Sequence, residues 1–435
     1  FKMAAIITTD MRVKNANQYI DTVSTDSVYF FVGKTQQWGS SDSASEIETP
    51  VDTWHDQQTA WQRMFAMKKI AGSDVSHAIP RYTWESGQTY AEYDDQDSAL
   101  STKRYYVITD SLSVYKCLKA GNGASYDEPT GTSPSVNAEE ADGYIWKYMY
   151  TLTGTQTSKY LTGSYMPVET LTGADDGSGQ WDVQDQAIAG AIHNIKVTNG
   201  GSGYTSGTVS VTVTGDGSNC TATANVVAGV VDSITVTNIG SGYNQAKVTI
   251  TDSGSGANAT ARAIISPEGG HGSNPVNELG GFYTITNIEL DGAEGGDIAT
   301  DNEYRQLGMI LNPYDFGTSN VSNATTLRTT KSLTLSNVNG TFQPDDTITG
   351  QTSGVSAYID SVDGSTIYYH QEEGTGYGSF TNGEQINAGS VTADISALGD
   401  PEAEPFSGQI IYLENRAAVD RATDQIEDVK LILEF

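Results

Sequence analysis

Residues 197–204 read VTNGGSGY and residues 236–243 read VTNIGSGY. The match does not stop there. SVTVTGDGSNCTATA (210–224) recurs as KVTITDSGSGANATA (247–261), so Ile192 to Pro267 is two copies of one pattern. The GSGY phrase recurs at an offset of 39 (243 − 204) and the following phrase at 37 (251 − 214), which implies two residues lost in one connection. In the first copy Val209, Val211 and Val213 alternate with Ser210, Thr212 and Thr214, then Ala222, Ala224 and Val226 with Thr223 and Asn225, the period of half-buried strands. The Gly-Ser-Gly turns supply the positive φ of a tight reversal. Each copy therefore predicts three strands. One copy buries too little to stand alone, and two can close a small β layer. The duplication is architectural rather than catalytic. A second pair follows: FQPDDTITGQTSGVSAYI (342–359) is echoed by FTNGEQINAGSVTADI (380–395), with another strand, GSTIYYHQEE (364–373), between them.

The rest of the chain reads as β with few helices. DMRVKNANQYIDTV (10–23) puts Val13, Ala16, Ile20 and Val23 on one helical face. SVYFFVGK (27–34) is a buried strand. Pro50 to Gly72 predicts a second helix with Trp54, Trp61, Met64, Phe65 and Lys68 in one stripe and Asp52 or Thr53 as N-cap. AIPRYTW (78–84) turns at Pro80. RYYVITDSLSVYKCLKA (104–120) is a hairpin turning near Asp110–Ser111. DGYIWKYMYTL (142–152) alternates Tyr144, Trp146, Tyr148 and Tyr150 against Ile145, Lys147 and Met149. The chain closes on SGQIIYLENR (407–416) and IEDVKLILEF (426–435).

Charge and composition narrow the function classes. With 23 basic against 54 acidic residues the formal charge is −31, so phosphate is repelled and a nucleic-acid partner is not expected. At 435 residues, a prior of about 150 per domain suggests about three domains. Cys117 and Cys220 are too few for a disulfide framework and read as reduced, buried thiols. FKMAAIITTD is too short an apolar run for a signal peptide, and no stretch approaches a membrane span, so folding in the cytoplasm and no membrane partner are expected.

A search for chemistry finds no site. The histidines are His55, His77, His193, His271 and His370, none at zinc-ligand spacing. No serine lies in a nucleophile elbow. Gly33-Lys34-Thr35 ends like a P-loop, but Val28 stands where the first glycine belongs. No GxGxxG occurs. The doublets Asp94–Asp95, Asp175–Asp176, Asp345–Asp346 and Glu372–Glu373 place neighbouring side chains on opposite faces of an extended chain, unlike a glycosidase pair. The loop at 291–303 gathers Asp291, Glu294, Asp297, Asp301 and Glu303, which could hold Ca²⁺ but lacks EF-hand spacing and reads as solvated. Tyr204 and Tyr243 could present flat rings to a sugar, and capping the module's own core is the preferred role. In GGHG (269–272) His271 is expected in a tight turn with its ring bonded to backbone. No catalytic, cofactor-binding or metal-ligating residue is assigned, and no cofactor.

Several segments, in this order, resemble a known family. IITTDMRVKNANQYIDTV, SVYFFVGKTQQW, the Trp61/Met64 helix, AIPRYTW and DGYIWKYMY are similar to the gene-product-8 baseplate wedge proteins of T4-like contractile-tailed phages. GGHGSNPVNELGG (269–281), YRQLGMILNP (304–313) and the IIYLENR…EDVKLILEF ending look like later segments of marine, cyanophage-like relatives. The resemblance covers roughly 1–172, 267–330 and 405–435 and leaves the repeats outside it. It implies a non-enzymatic, mainly β virion protein that forms a homodimer in each wedge and bridges relatives of gene products 6, 7 and 10 at the tail baseplate. The expected fold is mainly β (β-rich α+β), a multi-layer body with two or three helices and two small inserted β-repeat modules. The expected division is body at 1–190, module at 191–266, body at 267–330, module at 331–400 and returning C-terminal strands at 401–435. The competing readings are a receptor- or carbohydrate-binding tail protein, which the Gly/Ser/Tyr-rich repeats suggest, and a polysaccharide-degrading tail enzyme, suggested only by the abundance of acids.

Overall fold

The computed structural model describes residues 6–136, 139–291, 298–300, 302–422 and 425–435. The protein is a β-rich α+β fold, 43% strand and 12% helix. Its residues group into two compact units, Phe1–Asn17 with Ser76–Ile285 and Ile432–Phe435, and Gln18–Val75 with Thr286–Leu431. Each unit holds one repeat module.

Helix α1 (Thr9–Thr25) buries Val13, Ala16 and Val23 at helical spacing. Strand β1 (Val28–Gly33) is buried at all six positions. Helix α2 begins at Trp54, capped by the Thr53 side chain, but ends at Arg63, and Met64–Lys69 is strand β2. The second part of the helix expected over Pro50–Gly72 is thus strand. A continuous apolar run carries no period that separates a buried strand from a buried helix. What decides is β1, whose two edges both need partners: β2 takes one (Phe31 opposite Met67) and β15 (Glu303–Leu311) the other (Phe31 opposite Gly308). Strands β16 (Thr326–Arg328) and β23 (Gln409–Asp420) complete a five-stranded sheet in the order β16-β2-β1-β15-β23.

In the other unit β3 (Val75–Pro80), with Pro80 as its last residue rather than a turn, pairs through His77–Pro80 with β7 (Tyr165–Val168). The expected hairpin is β4 (Tyr106–Ile108) and β5 (Ser113–Lys119), joined by β6 (Ile145–Thr151) in a three-stranded sheet. A register shift between Val114 and Tyr115 breaks the aromatic ladder of β6. Tyr144, Trp146 and Tyr148 share one core cluster, whereas Tyr150 joins Met149 in another. Three short helices were not foreseen, α3 (Gly154–Tyr160), α4 (Gly179–Asp185) and α5 (Pro275–Glu278); each has a Thr, Ser or Asn N-cap but spans two turns or fewer. The chain also contributes β14 (Tyr283–Leu290) and β24 (Glu427–Glu434).

The first repeat gives β8 (Ile192–Ser202), β9 (Val209–Gly215) and β10 (Ser218–Val227), and the second β11 (Val230–Ser241), β12 (Ala246–Asp252) and β13 (Ala257–Ile265). The copies interlock. First strand pairs with third strand of the other copy, β8 with β13 and β11 with β10, while β9 pairs with β12 through Thr212 opposite Thr249, its own equivalent. An approximate twofold axis therefore passes through that residue pair. The register also corrects the sequence alignment. Ala259 stands to β8 as Cys220 stands to β11, an offset of 39, and Asn258 and Asn219 share positive φ (67° and 68°). The second copy loses two residues between its first and second strands and regains two between its second and third.

Tyr204 and Tyr243 seal this exchange. The Tyr204 hydroxyl accepts the Ala259 amide at 3.0 Å and the Tyr243 hydroxyl the Cys220 amide at 3.3 Å, so each copy's tyrosine caps the other copy's third strand. Both rings are buried in the module core. A Cβ at Gly256 would lie 2.2 Å from the Tyr204 ring and one at Gly217 2.5 Å from the Tyr243 ring, so neither position tolerates a side chain.

The second module, β17 (Lys331–Asn339), β18 (Thr347–Gly350), β19 (Ser356–Asp363), β20 (Thr366–His370), β21 (Gln385–Ala388) and β22 (Val391–Gly399), is a closed barrel in the order β17-β20-β19-β18-β21-β22. It has the same plan. β18 meets β21 with Thr349 opposite its equivalent Asn387, and Phe342 and Phe380 fill matching places in one core. The doublet Asp345–Asp346 is part of this repeat. Asp346 accepts the Gln343 amide as Glu384 accepts the Thr381 amide, and Asp345 (φ 68°) stands where the other copy has Gly383 (φ 84°).

Gly256→Ala is expected to lower the midpoint of the first module's unfolding substantially. Tyr243→Phe, which strands a buried amide, should cost about 1–3 kcal/mol. Gly163→Ala, with nothing within 4 Å, is the silent control. Urea unfolding followed by hydrogen exchange at Cys220 and Ala259 measures all three, and an unperturbed Gly256→Ala would refute the interlock.

Candidate functional site

The residues with the most unusual chemistry lie in the unit that holds β3 to β13. On β5, Lys116 is wholly buried, and its ammonium lies 2.8 Å from Oε2 of Glu278 on α5 and 4.0 Å from the centre of the Tyr93 ring. Oε1 of Glu278 accepts the Gly272 and Asn274 amides at 2.7 and 3.2 Å, so both carboxylate oxygens have donors. The Tyr105 hydroxyl donates to the Glu278 carbonyl at 2.8 Å. Against this knot sits the GGHG turn, with Gly269, Gly270 and Gly272 at positive φ. A Cβ at Gly272 would lie 2.4 Å from Val183 and 3.2 Å from the Lys147 side chain.

His271 departs from expectation. Its turn is tight, but its ring bonds no backbone group. The ring is buried edge-on to Tyr93 at 4.9 Å and to His193 at 5.2 Å, and its Nδ1, 3.9 Å from Glu278, is unpartnered, as is Nδ1 of His193. Burial and the ammoniums of Lys116 and Lys147 hold both rings neutral: His193 falls to about 4 and His271 lies well below its ordinary value. Burial also lowers Lys116, against the pull of Glu278, and brings Lys147 to about 8. His193, Lys147 and His271 border a cavity of about 270 Å³. Sequence reading missed this group because its members, on β5, β6, β8, the GGHG turn and α5, are separated by up to 162 positions (278 − 116). The one local signal was Lys147 within an aromatic strand.

The other residues singled out by sequence fall into structural roles. His77 bonds the Gly281 carbonyl at 2.7 Å and Asn17 at 2.8 Å, and His370 pairs with Asp360 at 2.7 Å. Lys34 follows β1 at φ 58° with its ammonium 4.3 Å from the Trp38 ring centre, a packed end rather than a phosphate loop. Asp94 and Asp95 do not point apart: on a loop, both meet Arg262 of β13, while Glu92 takes Lys196 of β8 at 2.6 Å. These pairs fasten the first module to the loop that carries Glu92, Asp94 and Asp95. Glu372 pairs with Arg63 at 3.0 Å. Of the acidic loop, Glu294, Asp297 and Asp301 lie outside the described residues. Its flanks are held by buried Arg421, which donates to the Asp291 and Ala299 carbonyls and pairs with Glu427 at 2.9 Å. Among the described residues no cluster of three metal-ligating side chains occurs. No helix among them is long and apolar enough to cross a membrane. Both cysteines are free and buried.

No protein-family model and no curated protein matches the chain.

The buried histidines set a pH dependence. An unfolded chain protonates His77, His193 and His271 near pH 6.5, whereas burial lowers all three in the folded protein. Their contribution to stability is complete above pH 6.5 and is lost as pH falls toward 4, with His193 accounting for roughly 3 kcal/mol at most. Lowered carboxylates such as Glu46 and Asp216, at about 2, act only below about pH 4.5. The urea midpoint should therefore drop between pH 7 and 5, and less steeply in His193→Gln. Equal slopes in the two proteins would contradict this.

Proposed function

We propose that the chain is a structural subunit of a contractile-tailed phage baseplate wedge, a homodimer that bridges neighbouring wedge proteins in the virion. One observation carries the reading. The resemblance-bearing segments 27–34, 61–69, 304–313 and 409–416, far apart in sequence, are neighbours in a single sheet through β1, β2, β15 and β23. The repeats outside the resemblance fold as self-contained modules whose two ends adjoin. Ala191 and Ser266 are hydrogen-bonded at 3.0 Å, and Ser332 pairs with Gly399. Adjoining ends of this kind suit an insertion into a body.

The sugar-binding alternative loses its main motive, since the Tyr204 and Tyr243 rings are internal caps. In the wedge reading the modules supply surface for contacts between subunits, and the body supplies the dimer.

Removing residues 192–265 and joining Ala191 to Ser266 is expected to leave a folded dimer that no longer supports assembly of intact tails when it replaces the native protein during infection. Thermal unfolding and solution mass check the first part, and counts of intact tails by electron microscopy check the second. A variant that unfolds would show that the module is not an insertion, and one that assembles normally would show that it makes no necessary contact.

A further inference from the structure

The cavity beside the Lys116–Glu278 pair has a cationic floor and an open mouth. Lys147 and His271, 4% and 3% exposed, form the floor with His193 beside them, while Ser135, Gln186 and Ile188 at the mouth are exposed. Among the described residues no carboxylate lines it.

Counting charges around it leaves an excess. The groups facing Lys147 and the two imidazoles are Lys116, Glu278 and Tyr93. Lys116 is neutralised by Glu278, and Tyr93 is held un-ionised by burial. Both imidazoles are neutral. Lys147 is left, with one acceptor among the described residues, the Pro134 carbonyl at 2.5 Å, and no carboxylate of theirs within ion-pair distance. An ammonium offers three donors. A buried cation without a counter-charge is strongly unfavourable. Burial brings Lys147 only to about 8, so near neutrality it remains largely charged. An anion in the cavity removes the imbalance, and each ring nitrogen that now lacks a partner becomes a donor in the right tautomer. The volume limits its size. About 270 Å³ holds roughly nine waters at ~30 Å³ each, room for a few heavy atoms and not for a nucleotide.

We propose that this cavity is a binding site for a small oxyanion, a carboxylate or a phosphate group, held by Lys147 with His193 and His271. The proposal is independent of the wedge reading.

Histidine ring resonances followed by NMR test it on the full chain, with inorganic phosphate, malonate and chloride each raised to roughly 50 mM, where a site of millimolar Kd is saturated. The His193 and His271 signals should shift saturably with phosphate or malonate, the His193 pKa should rise from about 4, and exposed His55 should stay put. A response to phosphate alone assigns a phosphate group, and to malonate alone a carboxylate. Lys147→Met should weaken binding at least about ten-fold, and Lys147→Arg should retain it. Should Lys147→Met not fold, His193→Gln serves in its place, with a weakening of roughly three-fold or more expected. No saturable shift with either oxyanion, an equal response to chloride, or unchanged binding in the variants would overturn the proposal.

Discussion

A three-stranded repeat has one apolar face and nothing of its own to put against it. Both modules solve this in the same way. Each copy lends its first strand to the third strand of the other, the two second strands meet about a twofold axis, and the ring order is first, fourth, third, second, fifth, sixth. In the second module all six strands are hydrogen-bonded into a closed barrel. In the first they divide into a four-stranded and a two-stranded sheet, with β8 lying against β11 and β12 against β13. The plan is shared although the two modules have no phrase in common. First-to-third exchange also brings the chain back beside its starting point, which makes each module easy to accommodate between two neighbouring residues of a body.

A second constraint is charge. With 23 cations against 54 acids, the placement of each cation matters, and several are inside. Arg305 binds Asp42, Glu303 and the Thr35 carbonyl, Arg421 holds two loop carbonyls and Glu427, and Lys116 holds Glu278. Arg305 and Arg421 fix loop segments, and Lys116 ties β5 to α5. Among the described residues, Lys147 alone of the deeply buried lysines lacks either a carboxylate or an aromatic face, which is why its cavity stands apart from the structural pairs. The acid excess of the whole chain, −31, favours solubility over non-specific association.

Legibility from sequence followed the range of the interactions. The repeats, the hairpin at 106–119 and the strand at 145–151 were legible because period and turn residues are local. Of the helix expected at Pro50–Gly72 only Trp54–Arg63 was legible, because the strand state of Met64–Lys69 depends on β1 having an edge to fill. The two-residue compensation between repeat copies was hidden by the Ala-Thr-Ala phrase, which aligns at 37 by identity and at 39 by hydrogen bonds. The buried cluster was illegible for the same reason: Lys116, Lys147, His193, His271 and Glu278 have no mutual spacing, and only the packing of the sheet, the module's first strand and the GGHG turn brings them together.

In the proposed wedge reading, the interlocked modules with adjoining ends serve as contact surfaces on a scaffold built around the sheet of β1, β2, β15 and β23. The twofold character of that assembly is its most direct test. Light scattering of the purified chain across a dilution series should give a stable mass of twice 46.4 kDa. A stable trimer would contradict the wedge account and point instead to a receptor-binding spike.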